Sequence, residues 1–158
     1  MTGGRSMWGV SAVALAVLAA CGAVTARRLL VVTVRGPSMT PTHHHGDRLL
    51  VRRTRTVRRG QVVVVLRPRS PAVWREDRHS PLIVKRVAAV PGESVPPGSV
   101  PQSTESRDGR VPPGLVVLLG DNTAASVDSR HLGFFPHGDV IGVVTRSLSR
   151  PQELPRDY

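Results

Sequence analysis

The chain has 158 residues and a mass of 17.0 kDa, room for one domain of ordinary size and an appendage. Its 22 Lys and Arg against 11 Asp and Glu leave a formal charge of +11, and an apolar share of 40% is far above what a disordered chain carries. Aromatic residues at 3% count against the base-stacking surfaces of single-strand nucleic-acid modules. A lone cysteine, Cys21, excludes an internal disulfide framework and any zinc site built from several thiolates.

Met7 to Ala26 is uncharged and lies between Arg5 and the pair Arg27 and Arg28. At about 1.5 Å per residue its length matches the hydrocarbon core of a bilayer. Three readings compete: a membrane anchor, a removable signal peptide, and a lipoprotein leader, because Leu18-Ala19-Ala20-Cys21 fits a lipobox. Apolar character continues past Cys21 to the double arginine, longer than a secretory core needs, which favours a retained anchor. Arg27, Arg28 and Arg35 outweigh Arg5 and on charge alone would hold the C-terminal part in the cytoplasm. A folded domain of this size translocates largely regardless of charge, so that count carries little weight.

Beyond Ala26 the pattern changes to short, Val-rich runs divided by Gly and Pro. Strands are predicted over 30–35, 48–53, 61–67, 82–90, 115–119 and 140–147, and no segment keeps a helical period. A mainly β domain follows. Between the first two strands lies Gly36-Pro37-Ser38-Met39-Thr40-Pro41-Thr42, in which Gly and Pro fix the backbone around one serine. That is a way to present a nucleophilic hydroxyl, although serines beside proline are mostly turn residues. His43-His44-His45 with Asp47 suggests a metal site, but consecutive extended residues point to alternate sides and three converge poorly on one ion. A loop without metal is expected there. The basic run with Arg52, Arg53, Arg55, Arg58 and Arg59 reads as a solvated hairpin edge, with anionic lipid a better partner than nucleic acid.

Twenty-one of the 22 basic residues are arginine, and the exception, Lys85, sits inside the apolar strand Leu82 to Val90. Arginine stays protonated in proteins, whereas a desolvated lysine loses its proton readily and can serve as a base toward serine. The bland alternative is a lysine on a solvated sheet face. Residues 91–114 are rich in Pro, Gly and Ser and read as a long loop or small ribbon with little of the core. After the strand at 115–119 comes the polar turn Gly120 to Gly133, in which Asp128 and Arg130 are spaced to pair within a loop.

In this order the segments resemble the bacterial type I signal peptidases, membrane-bound serine proteases with a Ser/Lys dyad. Gly36 to Thr42 looks like the nucleophile box, and Gly46-Asp47 with Arg59-Gly60-Gln61-Val62-Val63 like the intervening strands. Lys85-Arg86-Val87 with Pro91-Gly92-Glu93 resembles the lysine box, and Gly120-Asp121-Asn122, Ser126, Asp128-Ser129-Arg130 and Gly133 the last one.

The resemblance implies a coiled antiparallel-sheet core at 29–150, preceded by one transmembrane helix within 1–28 and followed by a tail at 151–158. It implies removal of leader peptides from exported preproteins on the extracytoplasmic side of the cell membrane by a monomer without metal or cofactor. Ser38 would be the nucleophile, Lys85 the base, and Ser126 the group that orients the lysine. Asp128 and Arg130 would form a structural ion pair, and Asp121 would pair with Arg86. A leader would add as a strand beside Lys85, with Met39, Leu82 and Ile83 as pocket walls for small side chains. Gly36 stands where some members carry a serine that completes the oxyanion hole. Thr123 replaces a usual Arg and Gln61 a usual Asp, and the short loop after Lys85 leaves no room for an accessory domain.

Two rivals remain. Self-cleaving repressors share the dyad but carry a DNA-binding helical domain that this chain lacks. A basic surface lipoprotein held through Cys21 is the non-enzyme reading.

Overall fold

The computed structural model describes residues 28–68, 80–104, 106 and 108–149. The apolar stretch 7–26, Cys21 and the tail lie outside them, and so do the anchor and lipobox readings. Among the described residues no helix is long and apolar enough to cross a membrane.

Among the described residues seven antiparallel strands form one sheet: β1 (Leu29–Thr33), β2 (Arg48–Arg53), β3 (Val62–Leu66), β4 (Leu82–Ala89), β5 (Leu115–Leu119), β6 (Phe135–Pro136) and β7 (Val140–Ser147). Their spatial order is β1-β2-β7-β3-β4-β5-β6, so the last strand inserts between the second and third. Each strand predicted from the Val-rich runs is present, with ends moved by no more than two residues. β6, the single-turn helix α1 (Ser129–Leu132) and three 3-10 turns have no counterpart in the expectation, all being too short to show a period.

Burial explains the sequence of β3. Val62 to Val65 are all buried, because this central strand is covered on both faces and needs no polar alternation. One face packs with Val51, Leu49, Val84 and Met39, the other with Val87, Leu118, Phe135 and Val143. Register shifts at Leu50/Val51, Val64/Val65 and Val87/Ala89 add local twist, which curls the sheet around these two layers.

The segment 91–114 contributes more than expected. Gly92 and Val111 N–H donate to Val111 and Glu93 carbonyls (both 2.9 Å), and Val95 N–H donates to Gly109 O, making a small ribbon. Its Val100 and Val111 are buried against Ala89 and Val117 as a third cluster. Proline shortens the ribbon's ladder, but the valines between the prolines still cover the end of β4 and β5.

Candidate active site

The site is built where two loops meet the end of β4. The first joins β1 to β2. Its neck is closed by Val34 N–H donating to Asp47 O at 2.8 Å and Gly46 N–H to Val34 O at 2.9 Å. Gly36 starts the excursion at φ +76°, a conformation that a side chain would strain. Met39 anchors it: the side chain is 0% exposed and sits between Val34, Leu49 and Val84. Ser38, beside this anchor, is half-buried at the rim. Among the described residues no hydrogen bond uses its hydroxyl or its backbone N–H.

The second loop follows β5. Asp128 caps α1 through the Arg130 N–H at 3.1 Å, and Leu118 N–H donates to Ser129 Oγ at 2.9 Å, which holds this turn on the sheet. The Asp128 carboxylate is fully buried and gathers four donors besides the capping Arg130 N–H. Gly120 N–H (2.8 Å), Ser126 Oγ–H (2.7 Å) and Arg130 Nη2 (2.6 Å) bind Oδ2, and Arg130 Nε binds Oδ1 at 3.1 Å. Burial works to raise its pKa, but the hydrogen bonds from Arg130, Gly120 and Ser126 outweigh that and hold it below the ordinary carboxylate range. Thr123 Oγ1 accepts from Arg130 Nη1 at 3.1 Å.

Lys85 enters this network from β4. It is 3% exposed, and its Nζ donates to Ser126 Oγ at 3.1 Å. Ser126 thereby links the ammonium to Asp128 without direct contact between the two charges. Burial pushes the lysine down from 10.5 to about 8; Asp128 opposes the shift and Arg130 adds to it. An amine in this state is a base at neutral to mildly alkaline pH.

Ser38 joins the cluster through its backbone. Its carbonyl accepts the Asn122 N–H at 3.1 Å, and Asn122 Nδ2 donates to Thr40 Oγ1 at 2.9 Å. Gly120 is wedged between the two loops: a methyl group there would collide with Ser126 Oγ and lie 2.7 Å from the Ser38 carbonyl oxygen. The loop bearing Ser38 and the loop holding Lys85 are thus in direct contact. Asn122 and Gly120 as loop-to-loop ties carry no signal in the sequence, since their partners lie more than 80 residues away.

A second ion pair braces the rim. Arg86 donates to Asp121 through Nε (2.8 Å) and Nη2 (2.6 Å), and through Nη1 to Gly60 O at 2.9 Å. Arg86 holds the Asp121 carboxyl below its usual range. The histidine run is divided: His45 Nδ1 accepts the Gly36 N–H at 3.1 Å, and Asp47 accepts the His44 N–H at 2.8 Å. Burial lowers the pKa of His43. No group of His, Cys, Asp or Glu among the described residues could hold a metal ion.

The three residues read as pocket walls are not gathered on one face. Leu82 packs with the Met39 layer and Ile83 with the opposite one, as alternation along β4 requires, and Met39 has no exposed surface. What β4 does offer, among the described residues, is an edge left unpaired over part of its length. It pairs with β3 over Leu82 to Arg86, but β5 pairs only from Arg86 onward. The stretch Leu82 to Lys85 therefore lacks a β5 partner.

A family model described as signal peptidase, peptidase S26, matches residues 6–97 and 96–148. The chain belongs to this family. It is similar to the mitochondrial ATP-independent inner membrane protease subunit 1b of Arabidopsis thaliana, 36% identical over 115 residues, 69% of this chain and 63% of that protein. It also resembles the mitochondrial inner membrane protease subunit 1 of Schizosaccharomyces pombe, 34% identical over 65% of this chain and 62% of that protein. With the signal peptidase I of Bacillus caldolyticus identity is 30%, over 70% of this chain and 74% of that protein. The S26 chain thus spans a little under two thirds of the length of the first two relatives.

Proposed function

We propose that the chain is a membrane-bound serine endopeptidase that removes leader peptides from exported preproteins, with Ser38 as nucleophile and Lys85 as general base. The observation that carries this reading is a single buried lysine, pushed to about 8 and steered by Ser126, beside the loop that presents Ser38. Membership of the S26 family supports the reaction class, and relatives named as signal peptidase I and inner membrane protease subunits support the membrane setting.

In the proposed cycle the leader lies along the open edge of β4 as an added strand, which brings its scissile carbonyl toward Ser38. Ser38 Oγ attacks the carbonyl carbon while its proton passes to the neutral Lys85 amine. The unused Ser38 N–H points to a role as oxyanion donor; Gly36 supplies no hydroxyl, so that site relies on backbone. Lys85 then returns the proton to the departing amine, and the acyl-enzyme is released by water activated on the same lysine. Small side chains before the cut (an Ala-x-Ala pattern) are what the likeness to signal peptidases implies for this chain.

The test uses detergent-solubilised full-length protein and an exported precursor with an Ala-x-Ala site. Wild type is expected to cut after the second Ala, located by mass, and Ser38→Ala and Lys85→Arg to be inactive. Lys85→Arg keeps the positive charge and removes only the ability to deprotonate. Cleavage by Lys85→Arg at the wild-type rate overturns the mechanism. Failure of wild type on several such precursors overturns the general leader-peptidase reading and leaves a processor dedicated to one precursor.

A further inference from the structure

A cavity of about 260 Å³ opens where β2 ends and β7 begins, lined by Arg53, Thr54, Arg55, Gly138, Val140 and Ile141. It shares no residue with the candidate active site. Three contacts hold its arginine-bearing loop. Arg53 N–H donates to Arg28 O at 2.6 Å, and Thr56 N–H donates to Thr54 Oγ1 at 3.1 Å. His137 Nε2 lies 2.6 Å from Arg55 O; a carbonyl only accepts, so Nε2 carries the hydrogen. Neither Arg53 nor Arg55 makes an ion pair among the described residues, so two arginines line a cavity whose lining holds no acidic residue. The Thr54 hydroxyl, already an acceptor, keeps its own proton to donate.

The position of the cavity indicates what fills it. Arg28, bonded to Arg53, stands two positions after Ala26, where the uncharged stretch of 7–26 ends, and β1 leaves Leu29 and Val31 39% and 46% exposed. Apolar side chains and unpaired arginines together at the point where a membrane-length apolar segment joins the domain suit the interface of an anionic bilayer. Guanidinium forks match phosphate oxygens, and Val140 and Ile141 give the cavity an apolar wall for the glycerol end of a lipid.

We propose that this cavity binds the phosphate of an anionic phospholipid headgroup and so fixes this end of the sheet at the membrane surface. The proposal rests on residues 7–26 lying in the bilayer and is independent of the Ser38 and Lys85 chemistry.

Native mass spectrometry of the full-length chain in non-ionic detergent tests it, with phosphatidylglycerol, phosphatidylcholine and inorganic phosphate as separate titrants. Phosphatidylglycerol is expected to bind wild type more tightly than phosphatidylcholine, and Arg53→Gln with Arg55→Gln to weaken it about thirtyfold, from about a factor of five per arginine. Arg58→Gln with Arg59→Gln removes the same charge from the same basic run outside the cavity, and is expected to keep the preference. Equal loss in both double variants overturns the proposal, because it shows diffuse charge and no site. So does equal binding of the two lipids by wild type, a comparison that needs no variant. Inorganic phosphate binding as tightly as the lipid also overturns it, making the cavity a free-anion site.

Discussion

Raising the pH from 7 to 9 is expected to switch the candidate base on. With Lys85 at about 8, roughly one molecule in ten carries the neutral amine at pH 7 and roughly nine in ten at pH 9. For a peptide cut by this site, kcat/KM therefore rises about tenfold across that interval and then levels off. Initial rates with an internally quenched Ala-x-Ala peptide, in detergent and at constant ionic strength, read the profile directly. A flat profile between about pH 6 and 9 refutes a lysine base, and a midpoint near the ordinary 10.5 refutes its desolvation.

The same burial must also show in stability. Between about 8 and 10.5 the unfolded chain holds a proton on Lys85 that the folded chain has released, so stability rises with pH through that window and is lowest below it. At about 1.4 kcal/mol per pH unit the full difference is about 3 kcal/mol. Lys85 is the only lysine in the chain, so the difference between wild type and Lys85→Met isolates it. Urea titrations followed by far-ultraviolet circular dichroism at a series of pH values supply both curves. Parallel curves for the two proteins would remove the basis of the argument, since Lys85 would then be hydrated in the folded state.

Ser126→Ala removes the hydroxyl that links Lys85 to Asp128, and is expected to lower kcat about 100-fold and stability by about 1–2 kcal/mol, measured by the same two assays. Gly120→Ala forces Ser126 and the Ser38 carbonyl apart; activity is expected to fall at least as far, with the secondary structure kept in circular dichroism. His45→Ala frees the Gly36 N–H and is expected to reduce kcat several-fold, whereas His45→Asn, whose amide oxygen can accept the same hydrogen bond, restores most of it. Equal loss in both His45 variants would show that the contact does not position the Ser38 loop.

Much of the sheet was legible because most strands are apolar runs rich in Val, Leu and Ile and separated by Gly or Pro; β2, β5 and β7 have the predicted ends. Strand order was not, since β7 lies between β2 and β3, and pairing across some 90 residues leaves no local trace. The Asp128–Arg130 pair was readable from its spacing, because two residues in one turn meet without help from the rest of the fold. The Ser38 carbonyl to Asn122 contact was not, because it exists only once the sheet has brought two distant loops together. Met39 shows the opposite failure. Its place beside Ser38 suggested a surface for substrate, yet an unbranched apolar side chain next to a rim residue is also a plug, and the core took it.

The arrangement also accounts for why one lysine survives in a chain that otherwise uses arginine. An arginine at position 85 would remain charged, and burial at 3% exposure would then demand a direct carboxylate partner. Asp128 is already occupied by Arg130 and by the Gly120 and Ser126 donors, so it can offer Lys85 only an attraction relayed through the Ser126 hydroxyl. That attraction opposes the downward pull of burial, and Arg130 offsets part of it. Had Asp128 bonded Lys85 directly, the ammonium would be stabilised and the base lost. Without Asp128, burial and Arg130 would pull the amine further down, with Asp121 left to oppose them. The Asp128–Arg130 pair therefore tunes the lysine as well as bracing the loop, and both roles come from the same carboxylate.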